Sequence, residues 1–579
     1  MHLNRLTRYL PFFQIFLVGL IVFFPTFALY MNADNWLVLW GGKTTFGTVS
    51  RWDSWTTYFS PYGMSYFFMY LISKLFGYVG APYYIASFLF RFMAASGLYI
   101  FLKSLKTSQP VAFLGAILFI VSPFGLEVTD WVFQMTSYVS IFFLILTFSL
   151  LFKLDSWRKV FVALFFLFWS VVVNPIRAHG TFLSIGFFGF LSVIRSTQKT
   201  RKFTILFLIL TVGLFLFLLK KYTFGDPGPT QAMITPGANM IKNSITAGDP
   251  TLITKYFVNF GEGIIPNTYI SVLTQAKFTE SLFATPRPGI EILILCGVLL
   301  SIMFFWKRNL IKEKGGKYFV LLGFMTILTS AYLTNKMLFV TSLPAESRIA
   351  AVLGFVFFVT LTFILVLDFV YDKKQQFLFD ILVLSLSSFF LLVPWIHDPV
   401  SYLHTYNRYL IFSALVAPLL FSDIVNSLKT RRWLGYLFMV LLIVLLLRIT
   451  IAEINSMRLR HHNYYGRKIW AQIDAYLVNE EFNDTRSVVY FTSTNPARLY
   501  NLVISSFPFR MGLYYEIWDF DKLPYAIDNR ADFQSMLTDG EASIRYIGKV
   551  HTFDRKDAYA FEINDDVVRK LDIGELLTE

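Results

Sequence analysis

The sequence predicts an all-α polytopic membrane protein of about thirteen spans, closed by a small polar α/β or α+β domain. Three observations predict it. Apolar residues make up 55% of the 579 and charged residues only 15%, where soluble domains carry nearer a quarter charged. Apolar runs of roughly 17–25 residues, enough to cross a ~30 Å hydrocarbon core, recur along most of the chain. Past residue 451 those runs stop and short alternating stretches replace them.

The predicted spans are 11–30, 82–102, 110–128, 132–152, 160–175, 177–195, 203–220, 289–306, 318–334, 349–370, 376–394, 409–426 and 433–451. The first is read as an uncleaved helix, because it is long enough to span and no small-residue cleavage site follows it. Asn174-Pro175 separates the fifth and sixth spans and predicts a tight hairpin. Basic residues fix the orientation. Arg5 and Arg8 precede the first span, and basic groups follow every even-numbered one: Lys103 and Lys106, Arg158 and Lys159, Arg201 and Lys202, Lys312 and Lys314, Lys373 and Lys374, Arg431 and Arg432. That alternation places the N-terminus in the cytoplasm of a plasma-membrane protein. The stretch 63–78 is apolar but short and interrupted by Lys74, so it is read as an interfacial helix on the outer leaflet. A full span there would invert every later loop.

The transmembrane domain is thus 1–451, with outer loops at about 31–81 and 221–288, and the C-terminal domain is 452–579, extracytoplasmic. Within that tail a helix is expected over 453–479 and strands over 487–492, 544–552 and 558–563. The net charge of +14 falls mostly in loops between apolar runs and does not predict nucleic acid as a partner. The single cysteine, Cys296, excludes an internal disulfide and a cysteine-based zinc site.

Chemistry is expected at the outer face. Asp34 lies within about one helical turn of the first span, where its carboxylate can deprotonate an acceptor hydroxyl; the competing reading is a cap on the next helix. Trp36, Trp40, Trp52 and Trp55 read most simply as an aromatic belt, or else as a sugar-stacking surface. Arg91 lies inside the second span and needs a partner there. Arg177 and His179 sit at the outer end of the hairpin, while Arg348 and Arg408 open later spans on the outer side. A guanidinium at that depth suits a lipid phosphate, against interfacial snorkelling or a structural ion pair. His397, Asp398 and His404 lack compact metal-ligand spacing, and Asp519-Phe520-Asp521 reads as a surface turn.

A first helix, then a long outer loop with Asp34 just past the helix end, then Phe59-Ser60-Pro61-Tyr62 leading to an amphipathic helix ending Leu75-Phe76-Gly77, resembles the GT-C glycosyltransferase superfamily. That group includes protein O-mannosyltransferases and lipid A aminoarabinose transferases. The resemblance covers about residues 1–450 in topology and 31–103 in local pattern. It implies that Asp34 is catalytic base or positions the acceptor, with Asp53 a second candidate in the same loop. It also implies an acidic residue after the third helix, where Glu127 and Asp130 fall, and it raises Arg408 with Tyr409 through the Asn407-Arg408-Tyr409-Leu410 segment. His404 precedes that segment and joins the substrate-binding candidates. The Glu-x-x-x-Pro-Pro element of the aminoarabinose transferases is absent, with Pro61 alone in its place.

The implied activity is transfer of a sugar from a polyprenyl-phosphate-linked donor to a glycan, lipid or protein acceptor. Membrane lipids are partners, and no nucleotide, redox cofactor or dedicated metal site is implied, a divalent metal being left open. A transporter or flippase for lipid-linked saccharides would carry inverted halves or paired broken helices, which the sequence does not display. A non-catalytic envelope assembly protein is the third expectation.

Overall fold

The computed structural model describes residues 3–47, 58, 62–151, 156–194, 251–275, 345–370, 405–427, 432–460, 463–479 and 487–578 (apart from 495, 540, 547–548 and 555–556), with scattered positions at 203–247, 324, 383 and 386. Among the described residues four helices are long and apolar enough to cross a membrane: Tyr9–Ala28, Gly80–Ser104, Val132–Leu151 and Trp433–Leu459. Trp433, Leu437, Leu441 and Val444 of the last lie exposed, an apolar face suited to lipid rather than water. Three shorter helices, Gln109–Ile120, Trp157–Val173 and Ala178–Ile194, and the 26-residue helix Ala345–Val370 coincide with further predicted spans. The predicted spans 203–220, 289–306, 318–334 and 376–394 fall wholly or mostly outside the described residues.

The chain divides into two compact units. The first comprises Met1–Val22, Phe90–Val128 and Ser137–Ile451. Its buried cation is Arg91, which donates to the carbonyls of Ile120 (3.0 Å) and Ser122 (2.6 Å) and to the Tyr138 hydroxyl (2.9 Å). These carbonyls lie where the Gln109–Ile120 helix ends and lack intrahelical partners, so the guanidinium caps a helix inside the apolar region.

Two helices, Thr251–Glu262 and Asn267–Gln275, lie within the stretch 221–288, for which the sequence predicts only a loop. Tyr256, Phe257 and Phe260 recur at helical spacing and meet Phe355 and Phe358 of Ala345–Val370 edge-on. Gly261 and Gly354 let the two backbones touch: a Cβ on Gly354 would stand 2.6 Å from the Gly261 nitrogen and closer still to the Phe257 carbonyl. Gly354→Leu is therefore expected to separate the helices and lower the apparent melting temperature by several degrees in a detergent melt, with Phe357→Leu on the same helix as the comparison.

The second unit comprises Phe23–Leu89, Thr129–Thr136 and Ala452–Glu579. The helix entering it, Arg432–Arg460, runs nine residues past the apolar stretch that ends at Ile451, and a second helix, Asn463–Asn479, follows. The predicted single helix over 453–479 is thus two pieces, the first continuous with the membrane helix. Strands β1 (Val488–Thr492), β2 (Tyr525–Ile527), β3 (Glu541–Tyr546), β4 (Lys549–Asp554), β5 (Ala558–Asn564) and β6 (Val567–Lys570) complete the tail. The stretch predicted as one strand over 544–552 turns back on itself as the antiparallel β3–β4 hairpin.

The other four strands form a mixed sheet in the order β2-β1-β5-β6, parallel except for the β5–β6 pair. Alternate residues face opposite sides. Val489, Phe491 and Phe561 pack on Trp470, Ile473, Leu477 and Phe507, while Val488, Tyr490 and Ala560 pack on Phe533, Met536 and Leu537. A central strand covered on both faces loses the polar alternation of an exposed one, which is why β1 reads as Val-Val-Tyr-Phe.

Candidate functional site

Asp34 opens the Asp34–Gly47 helix, which sets a negative charge in the first turn, at the positive end of the helix. The turn before it is strained. Ala33 is buried and holds a φ of 42°, a left-handed conformation rarely adopted by residues with a side chain. What holds it there is a buried amide network. Asn35 Nδ2 donates to Asn32 Oδ1 (3.0 Å) and to the Asp130 carbonyl (3.1 Å), and Asn32 Nδ2 reaches Asp130 Oδ1 at 3.4 Å. Trp36 Nε1 donates back to the Met31 carbonyl at 2.8 Å. Asp34 itself is only partly buried. Beside it, the Tyr66 hydroxyl is pushed up to about 12 by its burial first and then by the nearby Tyr62 and Asp34, so it stays a neutral donor.

The same unit fixes the Asp34 helix from its far end. Trp40 Nε1 donates to the Ile517 carbonyl (2.8 Å), and Trp40 packs on Phe509 and Phe520. Trp36 lies near Arg510, whose guanidinium stacks 4.2 Å from the Trp470 ring and 4.4 Å from Tyr514 and forks onto both Asp474 oxygens at 2.7 and 2.8 Å. Trp36 and Trp40 are therefore joints between the first loop and the C-terminal domain, not a belt at a lipid interface. Asp519 caps the short turn Phe520–Lys522 by accepting from the Asp521 N–H, and it is exposed.

In the first unit a different cluster forms around residues 405–412. Gly125, at φ 69°, brings the chain so close to Ile411 that a Cβ there would lie 2.6 Å from its nitrogen. Its N–H donates to the Thr405 carbonyl (3.0 Å), and the Glu127 N–H to the Tyr406 carbonyl (2.9 Å). Glu127 Oε2 accepts the Arg408 N–H at 3.2 Å and faces its guanidinium at 3.5 Å. Arg177 donates to the carbonyls of Tyr409 and Arg408, both at 2.8 Å, and lies over the Tyr409 and Phe412 rings. Its guanidinium holds the segment in place; the partly exposed Arg408 guanidinium, over the Tyr409 ring, is the better placed to meet an anion.

Asp34 and Asp130 thus share one unit, and Glu127, Arg177, Arg408 and Tyr409 share the other. His179 and Arg348 lie in the first turns of Ala178–Ile194 and Ala345–Val370. Asp53 and His404 lie outside the described residues. Among the described residues no three or more His, Cys, Asp or Glu side chains are grouped as a metal site would group them.

Sequence reasoning missed Asn32 and Asn35, Tyr66, Arg510 with Asp474, and Glu262. A lone arginine in the apolar run Phe507-Pro508-Phe509-Arg510-Met511 signals a buried pair. Glu262 ends the Thr251–Glu262 helix, and burial first, then the Glu346 charge, raises it to about 8 against the hydrogen bond from the Thr405 backbone. A raised folded value means the unfolded chain gives up its proton first. In buffer stripped of divalent cations, stability contributed at this position is complete below 4.5, falls as pH rises toward 8 and is level above it. Apparent melting temperature measured across that window should drop, and Glu262→Gln should remove the drop.

No protein-family model matches the chain, and a search of the curated proteins finds none similar to it.

Proposed function

We propose that the chain is a membrane glycosyltransferase of GT-C-like architecture, moving a sugar from a polyprenyl-phosphate-linked donor to an acceptor outside the membrane. The observation that carries this reading is the setting of Asp34. A partly exposed carboxylate follows a strained, buried residue and rests on a fully bonded Asn32–Asn35–Asp130 network, an arrangement that spends backbone energy to aim one side chain. In this reading Asp34 takes the acceptor hydroxyl's proton. Arg408 and Arg348, in the other unit, are the groups assigned to bind phosphate. Arg177 keeps Arg408 in position through its two backbone hydrogen bonds.

The thirteen-span count belongs to the same reading. It is supported by the folding of the first loop and the tail into one unit, which in this reading puts them on one side of the membrane with an even number of crossings between them. With the first span added, the total is odd, in keeping with the basic alternation of the loops. Asp53, His179, His404, Glu127, Asp130 and Tyr409 remain assigned to the catalytic or substrate-binding surroundings.

The test is turnover by the purified full chain of a panel of polyprenyl-phosphate sugars, read as release of free polyprenyl phosphate. Release with at least one donor is expected. Movement of intact lipid-linked sugar between leaflets of reconstituted vesicles, with no release from any donor, would replace this reading by a flippase.

A further inference from the structure

We propose that the C-terminal end of the Thr251–Glu262 helix binds a hard divalent cation, Mg2+ or Ca2+, through the side-chain oxygens of Glu262 and Asn259, with Glu346 supplying the second negative charge. The inference is independent of the proposed transfer reaction. Glu262 is 4% exposed and its Oε2 has no hydrogen-bond partner among the described residues. Asn259, one turn earlier on the same helix face, is 1% exposed, and its Oδ1 likewise has no partner among them. Two buried acceptors on one face, each with an unused oxygen, are costly unless something positive or protic lies between them.

The surroundings select which. Glu262 stands at the negative end of its helix, where an anion is disfavoured and a cation favoured. Glu346, in the first turn of Ala345–Val370, adds a negative charge that acts on Glu262. The Thr405 backbone donates to the Glu262 carboxylate, and Thr405 is itself held by the Asn267 N–H on its Oγ1 at 2.9 Å. A proton on Oε2 would turn the unused acceptor into an unused donor and would leave Asn259 Oδ1 bare. A cation coordinated by both oxygens and completed by water satisfies each of them. One or two carboxylates with a neutral oxygen and waters are the usual protein share of a magnesium site, and calcium takes the same donors with looser geometry.

The experiment uses the full chain in detergent after treatment with EDTA at pH 7.5. Equilibrium dialysis against radioactive calcium, with magnesium as competitor, is expected to give one ion per chain. Asn259→Ala, which keeps the carboxylates and the helix, should weaken binding at least tenfold. The apparent melting temperature should rise by several degrees on adding Mg2+ or Ca2+ to the parent, and Glu262→Gln should show no rise. Substoichiometric binding overturns the proposal, as does equal binding by parent and Asn259→Ala. So does a parent melt indifferent to both ions with a Glu262→Gln melt above it, which would assign a proton to this position.

Discussion

Asp34→Asn is expected to slow the proposed sugar transfer by about 10²–10⁴-fold while leaving the melting temperature within a degree or two of the parent. The substitution keeps the size and shape of the side chain and removes its charge and its ability to take a proton, and the charge at a partly exposed helix start contributes only about 0.3–1 kcal/mol. Asp34 is the first residue of its helix and only partly buried, so the amide fits where the carboxylate stands. The signature of a base is a fall in kcat with KM little changed, because the acceptor still binds. Asp130→Asn should behave differently. Its side chain is buried and accepts from Asn32, so this change should lower stability together with activity. Full transfer by Asp34→Asn would end the assignment of this residue as base.

Arg510→Ala is expected to destabilise the second unit by about 3–5 kcal/mol, the usual consequence of removing one partner of a buried pair. The Arg510 side chain is 4% exposed but Asp474 is 40% exposed, so the ion-pair share lies toward the low end of that range. Ring contacts with Trp470 and Tyr514 add about 1–2 kcal/mol when desolvated. Tyr30 loses its neighbour too: burial pushes its hydroxyl up to about 12, with the Arg510 charge and hydrogen bond working against that rise. Limited proteolysis of the tail, followed by denaturant titration, would measure the loss. Arg510→Lys keeps the charge without the two-pronged fork and should fall between parent and alanine. A melt unchanged in Arg510→Ala would show that the stack contributes nothing.

The membrane helices were legible because apolar length is a local property, and 82–102 and 132–152 lie within two residues of Gly80–Ser104 and Val132–Leu151. Helix ends were less so. The Arg432–Arg460 helix continues past Ile451 because Glu453, Met457, Arg458 and Leu459 are good helix formers, although they no longer suit lipid. Apolarity marks where the bilayer stops, not where hydrogen bonding stops. In the candidate site, the place of Asp34 just past the first span was legible, whereas the bonds that tie Asn32 and Asn35 to Asp130 join residues nearly a hundred positions apart in sequence. Trp36 and Trp40 looked like interface residues because a sequence shows an aromatic side chain's chemistry but not what it is buried against.

The bond from Trp40 Nε1 to the Ile517 carbonyl joins residues 477 positions apart. At ribosomal speeds of about 5–20 residues per second, roughly half a minute to a minute and a half separates the making of its two ends. During that interval the segment carrying Asp34 has left the ribosome without the surface that completes it, and its tryptophans are open to water, lipid or a chaperone. Acquisition of the aimed carboxylate is therefore an event of late biogenesis, timed by the arrival of the last hundred or so residues rather than by insertion of the first helix.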